Sequence, residues 1–316
     1  MSIRIDQKKI TDFQTMHDAV QDTSMEIVQL EGGTMTGTLT HLLANSVGIS
    51  AADFSRGFRG RGIQSESKWT VSSNAKPVVI RGFEVEPGDL FLLAPGQEIY
   101  ASYTSANSYT VALFEPDVLF AFLESQKTGA ADAAIWRRPA SVLRADRKSA
   151  ADRVEAFRAL SGIINQHDAT ISADAAEREI LERITTLVLD NIIDHDPRPP
   201  LHARKLVCEI DLHLSESDKR AVVKDLCERY GLPRRTLFNA FDDVLGVPPL
   251  VLQRCMRLCG VYAVLSQGSP DLLIKDVAIA HGFRDGSKFA GDYRDLFDEN
   301  PRQTLQRAQR QRQNHS

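Results

Sequence analysis

Cysteine is scarce in this chain. The four residues Cys208, Cys227, Cys255 and Cys259 form no CxxC pair, which argues against a disulfide framework and fits a reducing cytosol. Cys255 and Cys259 stand four apart in a helical pattern with no further ligand at metal spacing, so they read as small buried apolar residues. Histidine does not cluster either: His17 and His41 are isolated, so no metal is expected. No apolar run is long enough to span a bilayer. The opening Met1-Ser2-Ile3-Arg4-Ile5-Asp6-Gln7-Lys8 has no apolar stretch like that of a secretory signal. A cytoplasmic protein without membrane contact is expected. No Ser/His/Asp, Cys/His or paired-carboxylate constellation stands out, so the expectation is a non-enzyme without cofactor. Gly57-x-x-Gly60-x-Gly62 matches neither the dinucleotide nor the P-loop spacing. With Arg56, Arg59 and Arg61 it reads as a turn or irregular strand, with an anion site as the lesser alternative.

A hydrophobic fraction of 42% and a charged fraction of 25% are ordinary for a globular protein, and 316 residues suggest two domains. The overall charge of −4 conceals an asymmetry. Residues 198–316 hold 19 basic and 15 acidic side chains, a net +4. The preceding residues hold 19 basic and 27 acidic ones, a net −8. A basic excess confined to one end points to nucleic-acid contact by that end.

Residues 25–114 read as short strands. Val78-Val79-Ile80, Leu90-Phe91-Leu92-Leu93 and Tyr109-Thr110-Val111-Ala112-Leu113-Phe114 are β-rich, and Glu86-Pro87-Gly88-Asp89 and Ala94-Pro95-Gly96 are turn signals. After Pro116 the spacing becomes helical, with longer helices expected over 149–166 and 172–193. Asp194-His195-Asp196-Pro197-Arg198-Pro199-Pro200 breaks the second of these and reads as a stiff linker. The expected division is therefore a sensing and dimerisation domain over 1–196 and a helical DNA-binding domain over 197–316. The fold class is α+β.

Two units in the C-terminal part share one grammar. Val223, Leu226 and Cys227 line a short helix, Tyr230-Gly231-Leu232 turns, and Pro233 opens a second helix held by Leu237 and Phe241. Arg234, Arg235, Phe238 and Asn239 are left on or near its outer face. Arginine suits guanine edges and phosphates, and asparagine suits adenine. Downstream, Ile274, Val277 and Ala278 form a short helix, and His281-Gly282-Phe283 turns. A second helix then buries Phe289, Tyr293 and Phe297 while showing Ser287, Lys288, Ala290 and Gly291. A connecting helix over 249–265 carries Arg254 and Arg257. Such a connector suits two recognition helices in successive major grooves, roughly 34 Å apart.

Leu237-x-x-x-Phe241, Gly246-x-x-Pro249, Arg257-Leu258, Ala280-His281-Gly282-Phe283, Phe289-x-x-x-Tyr293-x-x-x-Phe297 and Pro301 together resemble the DNA-binding domain of the AraC/XylS family. Arg234-Arg235-Thr236-Leu237-Phe238-Asn239 and Lys275-Asp276-Val277-Ala278 are similar to regulators of ethanolamine operons, which implies an amino alcohol or other small amine as effector. The resemblance implies a transcription activator acting as a homodimer on double-stranded DNA, with RNA polymerase as a further partner. It puts DNA contacts at Arg234, Arg235, Phe238 and Asn239 and at Gly286, Ser287, Lys288, Ala290 and Gly291, with Arg254 and Arg257 on the connector. Ala290 and Gly291 replace longer polar side chains of the usual pattern, so the second unit is expected to grip phosphates more than bases. Val85-x-Pro87-Gly88-Asp89-Leu90 resembles the turn of cupin-like effector domains. A cupin-like barrel is therefore expected, with Trp69, Phe83, Phe91 and Tyr103 as candidates to line an effector pocket. Two other readings stay open at this level: a cupin-like enzyme fused to a DNA-binding domain, and an adaptor whose helical half docks a protein.

Overall fold

A computed structural model of the protein describes residues 3–19, 24–127, 130–145, 150–165, 172–192, 202–216 and 222–315. The strands are β1 (Arg4–Ile10), β2 (Ser24–Gln29), β3 (Gly37–Ala44), β4 (Val47–Phe54), β5 (Phe58–Ile63), β6 (Trp69–Asn74), β7 (Val78–Ile80), β8 (Phe83–Val85), β9 (Leu90–Leu93), β10 (Glu98–Tyr103), β11 (Asn107–Phe114) and β12 (Ala140–Leu143). They form two antiparallel sheets, ordered β1-β3-β4-β11-β6-β9-β12 and β2-β5-β10-β7-β8. The expected α+β class holds: an antiparallel β half is followed by a helical half. The β region extends past the expected 25–114 at both ends. β1 is an edge strand whose mixed polar sequence carries little apolar signal, and β12 is a strand of four residues, Ala140-Ser141-Val142-Leu143, that closes the other edge.

Alternation sorts the larger sheet into two faces. Leu42, Ile49, Trp69, Val71, Leu90, Leu92, Ala112 and Phe114 face a helical layer of α2 (Pro116–Ser125), α3 (Ala150–Asn165) and α4 (Ala173–Ile192). The ends of α3 and α4 lie within one residue of those expected from periodicity. Leu119, Leu123, Phe157, Leu160, Ile180, Ile184 and Val188 meet the sheet there. The opposite face carries Leu39, Phe54, Phe91 and Leu93, which pack with Phe58, Ile80, Ile99 and Tyr103 of the second sheet.

The second core continues into the helical half. The first short helix, α1 (Phe13–Ala19), belongs to the β half, and the rest are α5 (His202–Glu216), α6 (Val223–Tyr230), α7 (Arg234–Leu245), α8 (Pro249–Leu265), α9 (Ile274–Ala280), α10 (Gly286–Phe297) and α11 (Pro301–His315). Phe13 of α1 lies 5.4 Å from the Tyr262 ring of α8 and 5.5 Å from that of Phe297. Gln29 of β2 donates through Nε2 to the Leu296 carbonyl at 2.8 Å, and the Gly33 amide donates to the same oxygen at 3.0 Å. The prolines expected to form the linker, with the domain boundary placed on them, lie outside the described residues. No single described helix is long and apolar enough to cross a membrane.

The glycine-rich run opens on a bend at Ser55-Arg56, with Gly57 just before the strand, and from Phe58 to Ile63 it is a regular strand instead of an irregular one. β5 pairs with β2 on one side and β10 on the other, so an extended backbone satisfies its amides and carbonyls on both edges. Its arginines are spoken for. Arg56 approaches Glu31 at 3.8 Å and Arg61 pairs with Glu98 at 2.7 Å. Arg59 is fully buried against Asp211 of α5, which is equally buried: Nε lies 2.9 Å from Oδ2, and Nη2 donates to Oδ1 at 3.0 Å. Nη1 meets Glu26 at 3.0 Å, and Nη2 also reaches the Ser215 hydroxyl at 3.3 Å. Burial opposes the charge on Arg59, but Asp211 and Glu26 outweigh it and hold the guanidinium protonated.

Candidate nucleic-acid interface

In the first unit, α6 ends at Gly231, whose φ of 63° is the left-handed conformation that glycine adopts without penalty. Pro233 then stands at the N-cap of α7, where its missing N–H costs nothing. Leu226 of α6 and Leu237, Ala240, Phe241, Val244 and Leu245 of α7 are buried. This fixes the rotation of α7 and leaves the opposite side open: Arg234, Arg235 and Asn239 are exposed, and Phe238 is half-buried. The Arg234 guanidinium stacks on the Phe238 ring, 5.2 Å from its centroid. Arg235 has no partner among the described residues.

The second unit repeats the construction. Gly282, φ 80°, makes the turn between α9 and α10. Asp285 caps α10 and accepts hydrogen bonds from the Ser287 and Lys288 amides, each 3.0 Å. Replacing Asp285 by Ala is expected to destabilise the domain by about 1 kcal/mol in a denaturant titration, because both amides lose their acceptor. Phe289, Tyr293, Leu296 and Phe297 are buried, and the Tyr293 hydroxyl shares a 2.8 Å hydrogen bond with Thr304 of α11. Gly286, Ser287, Lys288 and Ala290 are exposed and Gly291 is half-exposed. Space is open beside both Gly286 and Gly291, so this face can approach a flat surface closely.

Between the units, α8 runs for 17 residues, about 25 Å at the helical rise. Its arginines have protein partners. Arg254 pairs with Asp292 of α10 at 3.2 Å, and Arg257 stacks on Phe283 at 5.1 Å and donates to the Gly282 carbonyl at 3.4 Å. Both tie the connector to the second unit. Cys255 and Cys259 are buried in α8, and burial pushes the Cys255 thiol up to about 11. Sequence reasoning passed over Arg284, which is exposed in the turn before α10; a basic residue directly after Gly282-Phe283 was its signal.

The four aromatic residues proposed for an effector pocket do not converge. Trp69 lies on the helix-covered face, edge-on to Trp136 at 5.2 Å. Phe83 and Phe91 are 6.1 Å apart in the other core. Tyr103 is packed among Phe54, Phe58 and Tyr109 at 4.8–6.1 Å. Burial pushes the Tyr109 hydroxyl up to about 12.

Residues 226–307, which hold most of α6 and all of α7 to α10, match the family model described as a helix-turn-helix domain. A solved structure of a probable AraC family transcriptional regulator from Rhodopseudomonas palustris CGA009 is 30% identical over 33% of this chain and 96% of its own (TM-score 0.31). Through this domain the chain belongs to the AraC family. The AraC-like transcriptional activator CuxR is 18% identical over 82% of this chain and 96% of its own, with TM-score 0.41. Wild-type ToxT of Vibrio cholerae strain SCE256, solved with an unsaturated fatty acid bound, is 12% identical over 96% of this chain and 95% of its own, with TM-score 0.30. The 30% identity over 96% of the Rhodopseudomonas palustris chain carries the AraC-family assignment, and none of these matches supports the finer likeness to ethanolamine-operon regulators. As an AraC-family domain, the helical half is a DNA-binding module of transcription regulators, and α6–α7 and α9–α10 are its two helix-turn-helix units.

Proposed function

We propose that the protein is a sequence-specific transcription activator that binds double-stranded DNA as a homodimer in the cytoplasm and responds to a small-molecule effector. Residues 1–196 sense and dimerise, residues 197–316 bind DNA, and RNA polymerase is the second macromolecular partner. The observation that carries this reading is the outer face of α7, where Arg234, Arg235 and Asn239 are exposed on a helix whose other side is fixed in a core. Arg235 and Asn239 read base edges. Lys288, Ser287 and the open glycines of α10 hold the phosphate backbone.

The effector acts by shifting a population. A ligand that prefers one arrangement of the sensor half changes how the DNA-binding half is presented, by as much as its affinity differs between arrangements. The shared core and the Arg59–Asp211 contact supply the mechanical connection. A titration of the protein with a fragment of its own promoter at about 50 and 200 mM salt tests the DNA reading. An interface with about six to ten phosphate contacts loses about 10³–10⁵ in affinity between those salts, so a steep fall is expected. An affinity that does not respond to salt rules out phosphate contacts and favours the protein-adaptor reading.

A further inference from the structure

The outer face of the larger sheet is not covered evenly. Strand register aligns Gln7, Thr40, Ala51, Thr110 and Ser73 in one row across β1, β3, β4, β11 and β6. A second row holds Thr38, Asp53 and Ser108. Farther along the same face the side chains are large and apolar, and the helical layer sits directly on them. At these two rows they are polar except for Ala51 and short except for Gln7, and α3 bridges over them with Val154, Phe157 and Arg158. A cavity of about 300 Å³ remains between floor and roof.

Two observations set this cavity apart from a packing defect. Ser73 is 4% exposed, lies on the face that Trp69 and Val71 share, and its hydroxyl has no hydrogen-bond partner among the described residues. A buried hydroxyl without a partner costs about 1–3 kcal/mol, so something polar is expected to satisfy it. Empty cavities are stable when apolar, and this floor is not. Asn74, at the strand end bordering the cavity, is 2% exposed, and both its amide atoms lack a hydrogen-bond partner among the described residues.

We propose that this groove between the sheet and α3 is the effector site, and that its ligand is a neutral, polyhydroxylated molecule the size of a monosaccharide. The inference rests on reading the N-terminal half as a sensor, and it moves the site out of the aromatic interior. The lining residues select the chemistry. Thr38, Thr40, Ser73, Ser108 and Thr110 supply short hydroxyls that both donate and accept. Asp53, already accepting from Thr38, is a carboxylate able to take further hydroxyl donors. Phe157 gives the roof an aromatic wall. A fatty chain would strand the floor hydroxyls, and a small amine would engage Asp53 and leave Ser73 unmet. The volume is at the lower end for small-molecule sites and suits one sugar-sized ring.

Isothermal titration of the full-length protein with D-ribose, D-glucose and myo-inositol tests this, with ethanolamine and oleate as contrasts. At least one of the three polyols is expected to bind saturably. Ala51→Met, which fills the floor, and Asp53→Ala, which removes an exposed carboxylate, are each expected to weaken that binding at least about tenfold. Both should leave ligand-free promoter affinity unchanged, which shows that the variants are folded. Should Ala51→Met not fold, Asp53→Ala carries the test alone. Failure of all three polyols to bind overturns the proposal, as does binding confined to ethanolamine or oleate. Polyol binding that survives both substitutions removes this groove while leaving the sensor reading intact. The DNA reading stands or falls separately, on the salt titration.

Discussion

Asp211→Ala is expected to destabilise the folded protein by about 3–5 kcal/mol, the largest effect of any single substitution considered for this chain. The mutation removes one partner of a fully buried ion pair and leaves the buried Arg59 guanidinium with the Glu26 carboxylate as its remaining charged partner among the described residues, beside the Ser215 and Tyr100 hydroxyls. The loss measures the cost of an uncompensated buried charge more than the worth of the pair. The double variant Arg59→Met with Asp211→Leu separates the two. It removes both charges and refills most of the volume, so it is expected to recover most of the lost stability in a denaturant titration. A double variant as unstable as Asp211→Ala would mean that packing around β5 and α5, and not charge, dominates there. The pair joins the β half to the helical half, so the single variant is also expected to raise hydrogen exchange along α5, through Val207, Ile210 and Leu214.

Arg235→Ala is expected to lower affinity for the operator by about 1–3 kcal/mol, about 5- to 150-fold, without changing stability. Arg235 is exposed and has no partner among the described residues, so its removal leaves no hole and no orphaned group. The discrimination between operator and unrelated DNA should fall with it, because a base contact carries specificity. Lys288→Ala should instead weaken binding to both sequences alike and reduce the salt slope by about one, the signature of a phosphate contact. Arg234→Ala falls between them, because its guanidinium also stacks on Phe238. Operator affinity unchanged in Arg234→Ala, Arg235→Ala and Lys288→Ala, measured by anisotropy titration, would remove α7 and α10 from the interface.

Local chemistry decided much of what the sequence shows. The two turns are legible because Gly231 and Gly282 must take positive φ and Pro233 tolerates only a helix start. The inward sides of α7 and α10 follow from Leu237 and Phe241, and from Phe289, Tyr293 and Phe297, at helical spacing. Once those residues are buried, the exposed faces are fixed by the 3.6-residue period. The exposed faces of α7 and α10 were therefore readable without coordinates.

Other features depend on residues far apart in the chain, and no local pattern encodes them. Arg59 sits in a glycine-rich stretch that reads as a turn or irregular strand, yet its partner is 152 positions away on α5. Trp69 and Tyr103 look alike as pocket candidates, but strand alternation sends them into different cores. Arg254 and Arg257 look like free cations on a connector until Asp292, Phe283 and Gly282 fold back against them. Sequence settled the helical units, their turns and their exposed faces, since each is a property of neighbours along the chain. Which surfaces meet, which charges are buried and where a cavity opens were decided by tertiary packing, since these depend on side chains that only the folded chain brings together.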